Sequence, residues 1–203
     1  TLPYSHMAGT SKHANTPVEL CSRALILIGA EPITSFEDGT TEALVSVNMY
    51  EDVVRTSLVN TRWRFATNQA ILNLLTAAPT GRYDRAYQLP SGYLMVHTAT
   101  VEDNIIDYQI YGDKLFADTS SSDTVILDYT FRANELEFPS YFTIAVEYAL
   151  AMVFATSIAR DASLAALMEK QATNAMAKAR SLDSQQQTTR KLVTSRFITN
   201  RRS

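Results

Sequence analysis

Apolar residues recur three and four positions apart in two segments near the start of the chain, as they do on one face of a helix. The first set is Leu20, Ala24, Leu27 and Ile28. The second set is Ala43, Val47, Tyr50, Val54 and Leu58. Thr16 before Pro17 is a typical helix start, and Gly29 is a typical helix stop. We therefore predict two helices within residues 16–62. Trp63 follows the second helix at once and is predicted to be buried where that helix meets the β region.

The pattern changes to alternation in the middle of the chain, which favours strands over helices. Residues 125–131 alternate apolar and polar side chains, and segment 108–117 contains a Gly-Asp turn between two short apolar runs. Residues 93–97 are typical of a further strand. Residues 66–78 fit either a short helix or a strand, with extended structure slightly favoured. These segments predict a small antiparallel sheet in a β-rich insertion over about residues 83–132.

Helical spacing returns after Pro139 and predicts two further helices, at about 140–160 and 162–182. The first of them is largely apolar and barely long enough to span a bilayer. Glu147 lies near its middle, and a carboxylate at that depth would be costly in lipid. We therefore expect a buried core or interface helix and no membrane span.

The fold class predicted from this order of elements is α+β. A helical bundle is formed by the N- and C-terminal helices of residues 16–62 and 139–182, and the small antiparallel β-region is inserted between them. The main domain would then cover residues 16–183. Residues 1–15 are expected to be a tag remnant and a flexible N-terminus, because Ser5-His6-Met7 has the sequence of a cloning scar.

Charge is distributed unevenly along the chain. The 203 residues carry a formal net charge of −3, but residues 184–203 hold five basic and no acidic residues, which leaves −8 for the remainder. A basic C-terminal arm on an acidic body is typical of a segment that binds a partner. Its candidate binding residues are Arg190, Lys191, Arg196, Phe197, Ile198, Arg201 and Arg202. Such an arm can dock on an acidic protein surface, bind nucleic acid or stay solvated, and the sequence leaves these three open.

Residues able to carry catalysis or bind a metal are few and scattered. The only cysteine, Cys21, lies beside apolar neighbours on the first predicted helix, which favours a buried structural thiol over a nucleophile. The three histidines lack metal-ligand spacing. The adjacent pairs Glu51-Asp52 and Glu102-Asp103 diverge in direction, so neither forms an evident acid–base couple. We predict no catalytic residue, no metal and no cofactor, although carboxylates distant in sequence remain open as a glycan-cleaving pair.

Short motifs follow one another in a characteristic order along residues 16–183. They are Leu25-Ile26-Leu27-Ile28-Gly29-Ala30-Glu31-Pro32-Ile33, Asp38-Gly39-Thr40-Thr41-Glu42-Ala43, Tyr50 through Arg55 and Leu58 to Trp63-Arg64-Phe65-Ala66, Ala86-Tyr87-Gln88-Leu89-Pro90 with Leu94-Met95-Val96, and Phe138-Pro139 with Phe142. In this order they resemble the tail tubular protein A family of short-tailed bacteriophages. The segment Ser91-Gly92-Tyr93 departs from the charged or polar residue that the family usually has after Leu-Pro. The resemblance does not extend over residues 184–203.

The resemblance implies a structural role in the virion tail, reached after assembly in the host cytoplasm. Members of the family resemble adaptor or gatekeeper subunits, which form a dodecameric ring between the portal and the rest of the tail. The implied partners are the portal protein, neighbouring copies of the chain, the downstream tail tube or nozzle protein, and DNA that passes through the channel without sequence-specific binding. The family has no common catalytic residues. On the residues alone, a tail-associated glycan hydrolase and a nucleic-acid-binding module that uses the basic arm stay open.

Overall fold

The computed structural model describes residues 13–186, and four helices lie within them. They are α1 Pro17–Leu27, α2 Thr41–Val59, α3 Ser140–Ser157 and α4 Ala162–Ser184. The strands of the same part of the chain are β1 Thr67–Ile71, β2 Asn73–Leu74, β3 Arg85–Gln88, β4 Tyr93–Val101, β5 Asn104–Ile105, β6 Tyr108–Tyr111, β7 Lys114–Ala117 and β8 Val125–Phe131. Helices from both ends of the chain flank a β region, so the predicted α+β class is confirmed. The expected tag remnant at Ser5-His6-Met7 lies outside the described residues.

Helix α3 is the centre of the bundle, because α1, α2 and α4 all pack against it. Its small residues Ala145 and Ala151 are fully buried and let the neighbouring helices approach closely. Phe142 and Phe154 are also fully buried and fill the space between the helices. Within the described part of the chain, α3 alone is long and apolar enough to cross a bilayer, but half of it is buried inside the fold. This burial agrees with the predicted core helix.

The ends of α1 follow the local signals in the sequence. The Thr16 hydroxyl accepts from the Glu19 backbone N–H at 3.2 Å, which caps the first turn. The Glu19 carboxylate reaches back to the Asn15 backbone N–H at 2.8 Å. Gly29 follows the last turn with a φ of +73°, a conformation that glycine adopts without strain. The predicted start and stop of the first helix are confirmed.

Two four-stranded antiparallel sheets form the β region, where the sequence pattern predicted one small sheet. The first has the order β1-β8-β4-β5, and the second has the order β2-β3-β7-β6. They share one apolar core, in which Tyr87, Leu115 and Leu127 are almost completely buried. Because alternation along a strand shows which side is buried and not which strand lies next to it, the split into two sheets was not visible in the sequence.

The strands begin at Thr67, well before the predicted bound near residue 83. Asn68 pairs with Tyr129, and Ile71 pairs with Ile126, so β1 lies along β8 at the edge of the first sheet. The slight preference for extended structure between 66 and 78 is confirmed at β1 and β2. This edge strand carries exposed apolar surface, since Ile71 is 68% exposed, and it therefore lacks the clean alternation that marks a half-buried strand.

Some residues predicted on buried helix faces are exposed. Val47 of α2 is 49% exposed, and Leu27 at the end of α1 is 38% exposed. The buried side of α2 instead includes the small polar residues Ser46 and Ser57, which lie toward its neighbours in the bundle. Helical spacing shows that a face is apolar, but the packing decides whether another element covers it.

Trp63 lies where α2 ends and the β region begins, and it has no exposed surface. Its indole N–H donates to the Ser57 carbonyl at 2.8 Å. Its ring meets the Phe142 ring edge to face, with centroids 5.2 Å apart. The predicted burial of Trp63 at this junction is confirmed.

Candidate assembly surfaces

Arg132 connects helix α2 to the end of β8 through bonds to carboxylates. Its Nε and Nη2 donate to the two Glu51 oxygens at 2.9 and 3.0 Å, and Nη2 also donates to Glu135 Oε1 at 2.6 Å. The Tyr50 hydroxyl donates to the same Glu135 oxygen at 2.9 Å. A bidentate guanidinium–carboxylate pair restricts orientation as well as distance. The network therefore holds the helical bundle at a defined angle to the first sheet.

The electrostatics of this network are those of a structural ion pair. Hydrogen bonds from Arg132 lower the pKa of Glu51 below its ordinary value. Burial disfavours the charge on Arg132, but its bonds to Glu51 and Glu135 outweigh that effect and raise its pKa. Burial and the nearby Glu135 raise the pKa of Tyr50. Glu51 and Arg132 therefore stay charged and Tyr50 stays neutral at neutral pH, whereas a general acid or base needs a pKa near the working pH.

Asp183 holds the end of α4 against the chain that joins α2 to β1. Its carboxylate is buried, Oδ2 accepts from the Arg64 backbone N–H at 3.0 Å, and Oδ1 accepts from the Tyr141 hydroxyl at 2.8 Å. Burial, helped by the bond to Asp183, raises the pKa of Tyr141 to about 12. The point from which the basic arm continues is therefore attached firmly to the rest of the bundle.

The cysteine and several of the carboxylates noted in the sequence are buried in the bundle or form a turn. Cys21 is fully buried, and burial raises its pKa to about 12, which agrees with the predicted structural thiol. Glu147 of α3 is buried and lies 3.4 Å from the Arg23 guanidinium, and burial raises its pKa. Glu102 and Asp103 form the tight turn between β4 and β5, with φ values of +49° and +65°. Among the described residues, no group of three or more His, Cys, Asp or Glu side chains is placed to hold a metal ion.

An open groove, the α2–α4 groove, lies between those two helices over α3 and has a volume of about 390 Å³. Its apolar lining comes from Val53, Ala149, Met152, Val153, Ala172 and Met176. Asp52 stands on the α2 side and Glu169 on the α4 side. No basic residue of the described chain lines it. The groove is therefore apolar at its base and negatively charged at its rims.

A second groove, the α3–α4 groove, lies on the other side of α4 and has a volume of about 330 Å³. Tyr141, Ile144 and Tyr148 line it from α3, and Leu182 lines it from α4. Its only charged lining residue within the described chain is Lys178. The two grooves thus differ in the sign of their charge, and both offer apolar surface that the bundle itself does not cover.

The arm residues predicted to bind a partner lie outside the described residues. They are Arg190, Lys191, Arg196, Phe197, Ile198, Arg201 and Arg202. The structure follows the chain to Gln186, whose side chain donates to the Tyr141 hydroxyl at 3.4 Å. Helix α4 includes Ser184, so the first residue of the predicted arm is part of the bundle.

Sequence reasoning did not single out Arg132, Asp183 or either groove. Arg132 is 81 positions from Glu51, and Asp183 is 119 positions from Arg64. The local signals are weak: one charged residue directly follows an alternating strand, and the other lies near the end of an amphipathic helix. A charged residue in either place is ordinarily solvated, so only the fold reveals the bonded partners.

Comparison with known proteins gives one family. The sequence model of the tail tubular proteins matches residues 21–190, which include all the described strands and nearly all of the four helices. No curated protein matches the chain. The family supports a structural role in a phage tail, in agreement with polar networks that hold elements together. The chain belongs to the tail tubular protein family.

Proposed function

We propose that this tail tubular protein is a subunit of the adaptor ring that joins the portal to the rest of the tail and surrounds the DNA channel. Its partners are the portal, neighbouring copies in a ring expected to be a dodecamer, and the downstream tube or nozzle protein. The acidic body suits a channel wall, because like charge discourages DNA from binding to it.

The observation that carries this proposal is the apolar surface left uncovered on the helical half. Leu44 and Val47, three positions apart on α2, are 62% and 49% exposed. Leu136, which follows Glu135 of the Arg132 network in the sequence, is 72% exposed. The two grooves beside α4 add to this surface. A subunit that repeats around a ring needs such surface, since the buried centre of an interface is largely apolar.

The adaptor assignment is tested by mixing the purified chain with its cognate portal at micromolar concentration. We expect a stoichiometric complex in light scattering and, in electron microscopy, a closed ring coaxial with the portal. A non-cognate portal is the control for non-specific association. If the cognate portal yields no complex at any salt concentration, the chain is not the adaptor that contacts it.

We also propose that the protein has no enzymatic function in the tail. The support is that three buried carboxylates already have hydrogen-bond partners within the protein. Glu135 accepts from Arg132, Glu147 accepts from Arg23, and Asp183 accepts from the Arg64 backbone N–H. Purified protein should therefore release no reducing sugar from host surface glycan above a buffer control. Activity that disappears when one carboxylate is replaced by its amide, in a variant that still folds, would overturn this.

A further inference from the structure

The basic arm and the α2–α4 groove are complementary in charge. Asp52 and Glu169 stand on opposite sides of the groove, and neither carboxylate has a hydrogen bond or ion pair with another residue of the described chain. Residues 187–203 contain five basic and no acidic residues. Both carboxylates are exposed, so arginines of the arm can reach them, and an attraction of this kind is weakened by salt.

We propose that residues 187–203 of the free subunit fold back and bind in the α2–α4 groove of the same chain. This inference rests on the predicted role of the arm as a segment that binds a partner, and it identifies the surface that the arm occupies before assembly. The portal or an adjacent subunit would then compete with the groove for the arm, so that the groove becomes available when the ring forms.

The length of the arm fits this path. Gln186 lies just beyond the end of α4, ten residues after Met176 and seventeen after Glu169. Along the helix axis these separations correspond to roughly 15 Å from Gln186 to Met176 and roughly 26 Å from Gln186 to Glu169. An extended chain covers up to about 3.3–3.6 Å per residue. The fifteen residues from Gln186 to Arg201 can therefore run antiparallel to α4 and reach the level of Glu169 with slack.

The order of residues at the end of the arm, residues 197–202, matches the order of features along the groove. Phe197 and Ile198 come before the last arginine pair and would lie on the apolar lining near Met152 and Met176. The pair Arg201-Arg202 follows three positions later, where the rim carries its carboxylates. Apolar anchors flanked by paired charges are the usual composition of a peptide that binds specifically.

Charge also distinguishes the two grooves as possible binding sites for the arm. Gln186 contacts Tyr141, which lines the α3–α4 groove, so the arm starts close to that groove as well. That groove carries Lys178 and no carboxylate among its described lining residues. Five positive charges on the arm disfavour it and favour the α2–α4 groove.

The same chain is favoured over a second copy because the arm is tethered next to the groove. A short tether of this kind gives an effective concentration in the millimolar range, well above that of free protein at micromolar concentration. The groove of a neighbouring copy gains this advantage only once a ring brings the subunits together.

Disulfide trapping in the full-length chain tests the proposal. Thr173→Cys places a thiol in the α2–α4 groove, and Thr199→Cys places one in the arm, while buried Cys21 stays unreactive. Under mild oxidation we expect an intrachain bond, seen by mass spectrometry of peptides and by faster migration on a non-reducing gel. Raising the salt concentration should slow its formation.

The matched control moves the groove thiol by one residue, to Asn174→Cys, which lines the α3–α4 groove instead. The intrachain bond to Thr199→Cys should form at least about tenfold more slowly there, because the two positions face different sides of α4. Equal rates at the two positions, or bonds only between chains, would overturn the proposal.

A second control concerns charge. Asp52→Lys with Glu169→Lys should slow trapping several-fold in the Thr173→Cys and Thr199→Cys background, whereas Glu31→Lys with Asp107→Lys changes the net charge equally and should not. Portal binding is measured separately on the parent chain. If the intrachain disulfide forms but no portal complex is found, only the adaptor assignment is wrong. If the portal complex forms but the intrachain disulfide does not, only the proposed binding of the arm in the groove is wrong.

Discussion

Trp63 is the only tryptophan of the chain, and its ring is enclosed between the end of α2 and the aromatic side chains of the bundle. We expect Trp63→Ala to lower the free energy of unfolding by about 3–5 kcal/mol, the usual range for truncating a large core side chain. Urea unfolding followed by circular dichroism measures this, since the variant has no tryptophan fluorescence. Trp63→Phe keeps an aromatic ring and loses the bond to Ser57 with less buried volume than Trp63→Ala, so its loss of stability should be smaller. A Trp63→Ala midpoint equal to that of the parent would show that the side chain contributes little.

Two glutamates should give pH dependences of opposite sign. The folded-state pKa of Glu51 lies below the ordinary value of 4.5, so its ionised form adds stability above that pH and the contribution is lost as the pH falls. Glu51→Gln should therefore destabilise the protein more at about pH 7 than at about pH 3. Chemical denaturation at the two pH values measures the difference. A loss of equal size at both would mean that the carboxylate charge does not matter.

Glu147 is the counterpart, because burial raises its folded-state pKa above 4.5. Its folded form favours the proton, so the stability of the parent falls as the pH rises through that pKa. Relative to the parent, Glu147→Gln should become more favourable between about pH 3 and about pH 7, the reverse of Glu51→Gln. The same denaturation series tests it, and a difference that moves in the same direction for both variants would contradict the assigned shifts.

At the scale of elements, the end of α4 depends on Asp183. Asp183→Ala leaves the Arg64 N–H and the Tyr141 hydroxyl without their acceptor, and we expect a loss of about 2–3 kcal/mol. Hydrogen exchange at the Arg64 amide should become faster. Asp161→Ala is the matched control at the other end of α4, where the side chain caps the helix. It should cost about 1 kcal/mol and leave exchange at Arg64 unchanged.

The turn between β4 and β5 holds a strained pair of residues. Glu102 and Asp103 both have positive φ, the geometry of a two-residue hairpin turn that favours Asn-Gly. Replacing the pair by Asn-Gly should raise stability by roughly 0.5–1 kcal/mol, because it relieves a left-handed conformation at two ordinary residues. Thermal unfolding measures the gain. The Ala-Ala variant should instead be less stable than Asn-Gly, and the reverse order would show that the turn is not strained.

At the scale of the whole molecule, the arm should be separable from the body. The arm was predicted to begin at residue 184, but Ser184 belongs to α4 and Asp183 is hydrogen-bonded to Arg64. A truncation that spares the bundle should therefore end the chain after Gln186. Deleting residues 187–203 should change the free energy of unfolding by less than about 1 kcal/mol, as expected for surface contacts. Assembly with the portal should weaken, and what remains should depend less on salt. Unchanged assembly at every salt concentration would make the arm passive.

Much of the fold could be predicted because its signals are local. The Thr16 cap, the stop at Gly29 and the alternation of residues 125–131 act within a few positions, so helices, strands and the α+β class follow from periodicity and end signals. The lack of a catalytic motif and the basic arm are likewise properties of composition and spacing. These features do not depend on which element lies beside which.

The tertiary structure alone decided which surfaces are covered and which distant groups meet. It placed β1 along β8, exposed Val47, bonded Arg132 to Glu51 and Asp183 to Arg64, and left a groove with Asp52 and Glu169 on its rims. The physical reason is that pairing and burial join residues many positions apart, through loop closure and packing, whereas the pattern of apolar and polar positions reports only on the immediate neighbours of each residue.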